Sequence, residues 1–394
     1  MKASARVQAA IELLDEIIVA ARDAGPAADT IVQDFFKRRR YAGSGDRRAI
    51  RELVYRVIRR SGEPPVSGRA AMIGLGQDDP ELLKLFDWTV RAPAPPLPNE
   101  PVAEAATVPA WLLPELDPLV GADERDALLD RAPLDVRVNR LKGDRAAAAE
   151  AIPEAEPTPW SPIGLRLPDG FALDAHPAWQ SGLVEVQDEG SQLIGLACGV
   201  APDMVAVDLC AGAGGKTLAF AADMANRGRL VASDTDRGRL SRIAPRAQRA
   251  GATAIECRLV NPRQELKALA DLEGKADVVL VDAPCSGSGT WRRNPETRWR
   301  LKPERLRQIV AVQSHLIDIA AQLVRPGGRV IYAVCSLLAV EGRAQAEAFA
   351  ARRSSFIPED PPIEGGRACG LGRLLTPGHD HTDGFFIARW QAPC

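Results

Sequence analysis

The sequence predicts an α/β fold, a parallel sheet flanked by helices, preceded by an all-helical segment. Three observations carry this. From about residue 184 onward, short apolar runs alternate with helical patterns, and strands buried on both faces read as continuous apolar runs. The first hundred residues instead carry apolar positions at helical spacing, with no convincing strand. Between them, RAPAPPLPNEPVAEAATVPA (residues 91–110) is rich in Pro and Ala with little periodicity, as a linker is.

In chain order, Val7, Ile11, Leu14 and Ile18 mark a first amphipathic helix, and further helices are expected around residues 31–36 and 50–58. The expected boundaries are a helical domain at residues 1–92, a linker and small α/β piece at 93–180, and the main α/β domain at 181–394. The small piece contains LDVRVNRLK (134–142) and GLRL (164–167) as strands around a helix at 145–152. In the main domain VAVDL (205–209), RLVASD (229–234), AIECRLV (254–260), DVVLVDA (277–283) and RVIYAV (329–334) read as strands, with helices at 237–249 and 303–323 among them. No internal repeat is present. In such sheets ligands bind beyond the carboxyl ends of the strands, so residues just after these runs are the candidates for function.

Composition is that of an ordinary globular protein with net charge −2, long enough for two or three domains. No apolar run approaches the roughly 18 residues of a membrane span. The N-terminus mixes charge into helical periodicity where a signal peptide would be apolar, so a cytoplasmic protein without a membrane partner is expected. Seven cysteines, none at CxxC spacing, argue against a disulfide framework or zinc site, and His379 and His381 have no cysteine or carboxylate pair at ligand spacing beside them. No metal is expected, and a monomer is favoured. Charge is unevenly spread: residues 37–60 hold ten bases and two acids, whereas residues 78–130 hold twelve acids and three bases. The basic cluster is either a phosphate-binding surface or a solvated helix face.

The first strand of the main domain runs into DLCAGAGGKT (208–217), a glycine-rich turn opening a helix. A phosphate loop would need a glycine where Cys210 stands, and a dinucleotide fingerprint would need a third glycine where Thr217 stands. The next strand ends at Asp234, placed to accept hydrogen bonds from ribose hydroxyls. The combination suits a nucleoside cofactor without pyrophosphate, of which S-adenosylmethionine is the common example.

Two later strands end in cysteines, Cys285 in VDAPCSGSGT (281–290) and Cys335 in VIYAVCSLL. A buried cysteine is usually a small hydrophobe, but a thiolate at a strand end near a cofactor loop suits nucleophilic catalysis, and from the residues alone either could be the nucleophile. The following TWRRNPETRWR (290–300) interleaves Trp291 and Trp299 with Arg292, Arg293, Arg298 and Arg300. Such a mixture suits stacking of a single-stranded or flipped-out nucleotide, or else a surface loop pinned by two tryptophans.

Taken together, DLCAGAGGKT, DAPCSGSGT, VCS and the tail DGFFIARW resemble the Sun (RsmB-like, Nop/Sun) family of RNA cytosine-5 methyltransferases. The similarity runs from about Arg137, in VRVNRLK, through EVQDEGSQL (185–193) to Trp390. It implies a Rossmann-like S-adenosylmethionine-dependent methyltransferase domain. The basic N-terminal helices with DRRAIRELVYRVIRR resemble the NusB-like RNA-binding domain of the bacterial 16S ribosomal RNA members, which implies ribosomal RNA as partner. The resemblance assigns the cofactor segment to Cys210, Ala211, Gly212, Ala213, Gly214, Gly215 and Lys216, the ribose-binding acid to Asp234, and an acid at the strand end to Asp282, a candidate for both cofactor and base. It makes Cys335 the attacking thiolate and Cys285 the residue aiding release. Asn261 stands where the family has an aspartate near the adenine, Val334 where it has threonine, and the acidic stretch after VCS is reduced to Glu341 followed by Gly342. A transfer RNA substrate, a noncatalytic RNA-binding or antitermination-type factor and, more distantly, a nicotinamide oxidoreductase are the competing readings.

Overall fold

The computed structural model describes every residue except residue 24, in two compact units. The first comprises Met1–Leu116, Arg125–Asp130 and Thr290–Pro303. Its helices are α1 (Ala3–Arg22), α2 (Ala28–Arg38), α3 (Ser44–Arg60), α4 (Gly68–Asp78) and the short α5 (Pro80–Leu83). The stripe Val7, Ile11, Leu14 and Ile18 of α1 is buried against apolar faces of the other helices, as its spacing requires. At the start of α4, a Cβ on Gly68 would lie 2.3 Å from the Ile11 carbonyl oxygen, so only glycine permits this approach of α4 to α1. The Pro- and Ala-rich stretch is part of this unit. Ala103 and Ala106 donate their N–H groups to the carbonyls of Ala70 and Arg60, at 3.1 and 2.9 Å.

The segment Thr290–Pro303 completes the helical unit from far along the chain. Trp299 sits in the helical core and donates its indole N–H to the Ser61 carbonyl at 2.7 Å. Arg298 donates through Nη2 to the carbonyls of Ile58, Arg59 and Ser61, at 2.6, 2.8 and 2.9 Å. Ile58 and Arg59 belong to the last turn of α3 and Ser61 caps it, so orphan acceptors at the negative dipole end of the helix are answered. At the opposite polarity, Glu296 accepts from the N–H of Ala28 at the start of α2. Burial pushes the Arg298 guanidinium down to about 9.

The second unit contains two sheets. Strands β1 (Leu134–Val138), β2 (Glu156–Pro157), β3 (Gly164–Leu167) and β4 (Val184–Val186) form an antiparallel sheet in the order β2-β3-β1-β4. The large sheet takes β5 (Val205–Asp208), β6 (Arg229–Asp234), β7 (Ile255–Leu259), β8 (Ala276–Asp282), β9 (Val324–Val334), β10 (Ile357–Glu359), β11 (Arg367–Cys369), β12 (Gly372–Leu375) and β13 (Phe385–Gln391). Its order is β11-β12-β13-β9-β8-β5-β6-β7, with β10 beside β13. The strands β5 to β9 pair in parallel, but β13 joins β9 antiparallel and β12 and β11 follow antiparallel. The sheet is therefore mixed, where a parallel one was expected. β13 is buried on both faces like its parallel neighbours, so its residues carry no alternation that reveals its direction. The helix expected at 237–249 is two, Arg237–Leu240 and Ile243–Ala250.

Because the order reverses between β5 and β8, the crevice for a ligand lies at their carboxyl ends. Replacing Arg298 with Ala should destabilise the protein by about 2–4 kcal/mol, since it orphans buried helix carbonyls. Chemical unfolding checks the magnitude, and amide exchange of the last turn of α3 checks the location.

Candidate active site

The glycine-rich turn begins where β5 ends in Asp208. This carboxyl is buried and accepts from Thr217 Oγ1 at 2.6 Å, fastening the turn to the helix Gly215–Asp223 that follows it. Burial pushes the Asp208 carboxyl up to about 7. Gly212 and Gly214 have φ of +55° and +83°, the left-handed region that favours glycine. A Cβ on Gly214 would meet Ile243 at 2.9 Å, whereas one on Gly212 would project into open space.

Asp234, at the end of β6, accepts from the N–H of Gly212 at 2.8 Å on one oxygen and from that of Asp236 at 2.7 Å on the other. A carboxylate has about four acceptor positions, so each oxygen keeps capacity for a ligand hydroxyl. The helix Gly215–Asp223 has no side-chain cap, which leaves N–H donors at its positive end. Asn261, just beyond β7, is exposed. Its neighbour Val260 donates to the Asp234 carbonyl at 3.0 Å, which puts the amide at the same sheet edge as the ribose-binding candidate. Cys210 is half-buried, and burial raises its thiol well above the usual value.

At the ends of β8 and β9 the two cysteines meet: Cys285 Sγ lies 3.2 Å from Cys335 Sγ. The hydrogen bond with Cys335 and burial hold the Cys285 thiol well above its ordinary pKa, so Cys285 keeps its proton in the resting site. Nearby, Lys216 Nζ donates to Asp282 Oδ2 at 2.7 Å. Burial works against the ammonium, but the charge and hydrogen bond of Asp282 outweigh it and hold Lys216 above the usual lysine value. The fold thus brings Cys285, Cys335, Asp282, Asp234 and the 210–216 turn to one sheet edge.

Sequence reasoning missed what holds the two cysteine loops. Glu341, treated as the remnant of an acidic stretch, is fully buried and accepts from Ser286, Ser336 and Gln313. No spacing rule links these residues, which meet only in the folded chain. The stacking role considered for residues 290–300 does not hold. Trp291 and Trp299 are 1% and 3% exposed, Arg298 is 1% exposed, and no face of either ring is open to a base. In the basic cluster, Lys37, Arg38, Arg39, Arg51, Arg56 and Arg60 pair with Asp34, Glu16, Glu12, Asp29, Asp79 and Asp78. Much of its apparent charge is consequently answered within the helical unit.

Among the described residues, all seven cysteines are free, no cluster of His, Cys, Asp and Glu is arranged to hold a metal, and no helix is long and apolar enough to cross a membrane. Because Cys335 raises Cys285, Cys335→Ala should shift the pH midpoint for alkylation of Cys285 downward, measured residue by residue with iodoacetamide and mass spectrometry.

Residues 199–391 match the family model described as 16S rRNA methyltransferase RsmB/F. Ribosomal RNA small subunit methyltransferase B of Xylella fastidiosa (strain Temecula1) is 36% identical over 305 residues, 73% of this chain and 68% of that one. The probable counterpart of Bacillus subtilis (strain 168) is 31% identical, with 73% and 68% covered. Among solved structures, PH0851 superposes with a TM-score of 0.75 over 98% of each chain at 22% identity. NSun6 from Pyrococcus horikoshii, solved with SFG, has a TM-score of 0.61 at 19% identity, over 68% of this chain and 93% of that one. With the family-model match spanning both the glycine turn and the paired cysteines, and a relative 36% identical over 73% of this chain, the chain belongs to the 16S rRNA methyltransferase RsmB/F family.

Proposed function

We propose that this protein methylates carbon 5 of a cytosine in RNA, ribosomal RNA of the small subunit in the first place, through a covalent adduct on Cys335. The observation that carries the reading is the 3.2 Å approach of two thiol sulfurs beside the Lys216–Asp282 pair.

S-adenosylmethionine, when bound, supplies an electrophilic sulfonium methyl group. The residues present fit it: Asp234 has unused acceptor positions, the helix Gly215–Asp223 is uncapped, and Gly212 opens onto free space. Cys210 to Lys216, Asp234, Asn261 and Asp282 would hold it. Asn261 offers both a donor and an acceptor where the family has only an acceptor.

Carbon 5 of cytosine is too electron-poor to be methylated directly. Addition of the Cys335 thiolate at carbon 6 makes an enamine whose carbon 5 is nucleophilic. Asp282, with Oδ2 occupied by Lys216, has Oδ1 left to accept a hydrogen bond from protonated nitrogen 3 of the ring and so favour the adduct. After methylation, the carbon 5 proton leaves to a base and the bond from carbon 6 to sulfur breaks. Cys285, a thiol within hydrogen-bond reach of Cys335, stabilises the departing thiolate. The helical unit would add phosphate contacts through bases without an acidic partner. Arg40 and Arg48 are exposed and make no ion pair among the described residues.

Cys335→Ala should abolish methyl transfer while leaving S-adenosylmethionine affinity intact by calorimetry. Cys285→Ala should accumulate a protein–RNA band that survives denaturing gels and disappears on nuclease treatment, and the double variant should lose it. If Cys335→Ala is the variant that traps RNA, the two roles are exchanged. Bisulfite sequencing of total RNA with and without the gene identifies the methylated position.

Removing two phosphate contacts with Arg40→Gln and Arg48→Gln should reduce the slope of log affinity against log salt by about 1.4 for single-stranded RNA. An unchanged slope would return these arginines to the solvated face.

A further inference from the structure

Glu341 lies on the chain after β9, yet its carboxylate ends between the two loops that carry the cysteines. Oε1 accepts from the N–H of Ser286 at 2.9 Å and from Gln313 Nε2 at 2.9 Å. Oε2 accepts from the hydroxyl of Ser286 and from that of Ser336 at 2.5 Å. Ser286 and Ser336 are the residues immediately following Cys285 and Cys335. The same Gln313 amide also donates to the Pro284 carbonyl at 3.0 Å, on the other side of Cys285. Ser288 closes the circuit, its hydroxyl 3.1 Å from that of Ser336 and accepting from the N–H of Leu337 at 2.8 Å. The backbone of Glu341 is itself anchored, since Tyr332 of β9 donates its hydroxyl to the Glu341 carbonyl at 2.6 Å.

We propose that Glu341 is a positioning residue: one buried carboxylate braces both cysteine loops and thereby fixes the separation of the Cys285 and Cys335 sulfurs. Four donors converge on the two oxygens of a fully buried carboxylate, and an unanswered donor there is costly, so the arrangement tolerates little displacement of either loop. The consequence for function rests on the two-cysteine reading above. The bracing itself does not, because it concerns only the distance between two thiols.

The chemistry of the donors suggests the variants. Ser286 N–H and the Gln313 amide can only donate to Oε1, whereas the two hydroxyls facing Oε2 can turn and accept. Glu341→Gln can therefore keep all four contacts, with its carbonyl oxygen at Oε1 and its amide at Oε2. Glu341→Ala can keep none.

The readout is the rate at which diamide joins Cys285 to Cys335, the diazene being reduced to the hydrazine as the two thiols become a disulfide, followed by mass spectrometry on full-length protein without RNA. Crosslinking should be about tenfold or more slower in Glu341→Ala than in the native protein and restored in Glu341→Gln, since displacements near 1 Å are costly in rate. With RNA, Glu341→Ala should also accumulate the covalent protein–RNA band, because a displaced Cys285 no longer assists release. Native-rate crosslinking in Glu341→Ala overturns the proposal, and so does an equal loss in the Ala and Gln variants. Should Glu341→Ala fail to fold, Ser336→Ala removes one arm of the brace and should slow crosslinking to a smaller degree; an unchanged rate there overturns it as well. Absence of methyl transfer by the native protein would count against the proposed activity alone, since crosslinking is read without RNA.

Discussion

The parallel pairing of β8 with β9 is the constraint on which the site depends. Its register places Val281 opposite Tyr332 and Asp282 opposite Ala333. Adjacent strands lie about 4.8 Å apart, so the chain segments leaving them at the same edge begin within side-chain reach. Cys285 follows three residues after Asp282 and Cys335 two after Ala333, and the ladder continues past the strands as Ala283 donates to the Ala333 carbonyl at 2.9 Å. A slip of one residue would point the following side chains to the other face and part the sulfurs.

Around that contact, charge is distributed so that each ionised group is answered. The Lys216 ammonium faces Asp282, while Asp208 behind it is fastened by Thr217 and pushed toward neutrality by burial. A buried lysine without a partner would shed its proton, and buried carboxylates without donors would gain one. The Glu341 carboxylate is answered differently, by hydroxyl and amide donors with no cation in contact among the described residues, which suits a brace because several hydrogen bonds fix direction where one ion pair fixes distance. Antiparallel addition of β13 covers the edge of β9, so the strand that carries Cys335 is interior to the sheet and held on both sides.

Residues 290–300 show how the same side chains serve opposite ends. Tryptophan and arginine suit nucleotide stacking because one offers a flat apolar face and the other a planar cation. Those properties equally suit a plug in a helical core. The indole of Trp299 fills apolar space while its N–H reaches the Ser61 carbonyl, and Nη2 of Arg298 faces three carbonyls at the negative end of α3. Composition cannot separate these uses, since the difference lies in whether acceptors are supplied by the chain or by a ligand.

The sequence by itself determined the strand and helix alternation, the glycine-rich turn, the strand ends at Asp234 and Asp282, and the placement of Cys285 and Cys335 just beyond strands, because these are local matters of period, backbone freedom and hydrophobic run length. It also determined the first helix, whose stripe is buried residue for residue. Only the tertiary structure decided the direction of β13, which fully buried residues do not encode, and the internal pairing of the basic cluster with acids from other helices. It likewise decided the meeting of Glu341 with Ser286, Ser336 and Gln313. Hydrogen bonds between side chains distant in sequence leave no periodic trace, since they depend on where the backbone has already brought their donors and acceptors.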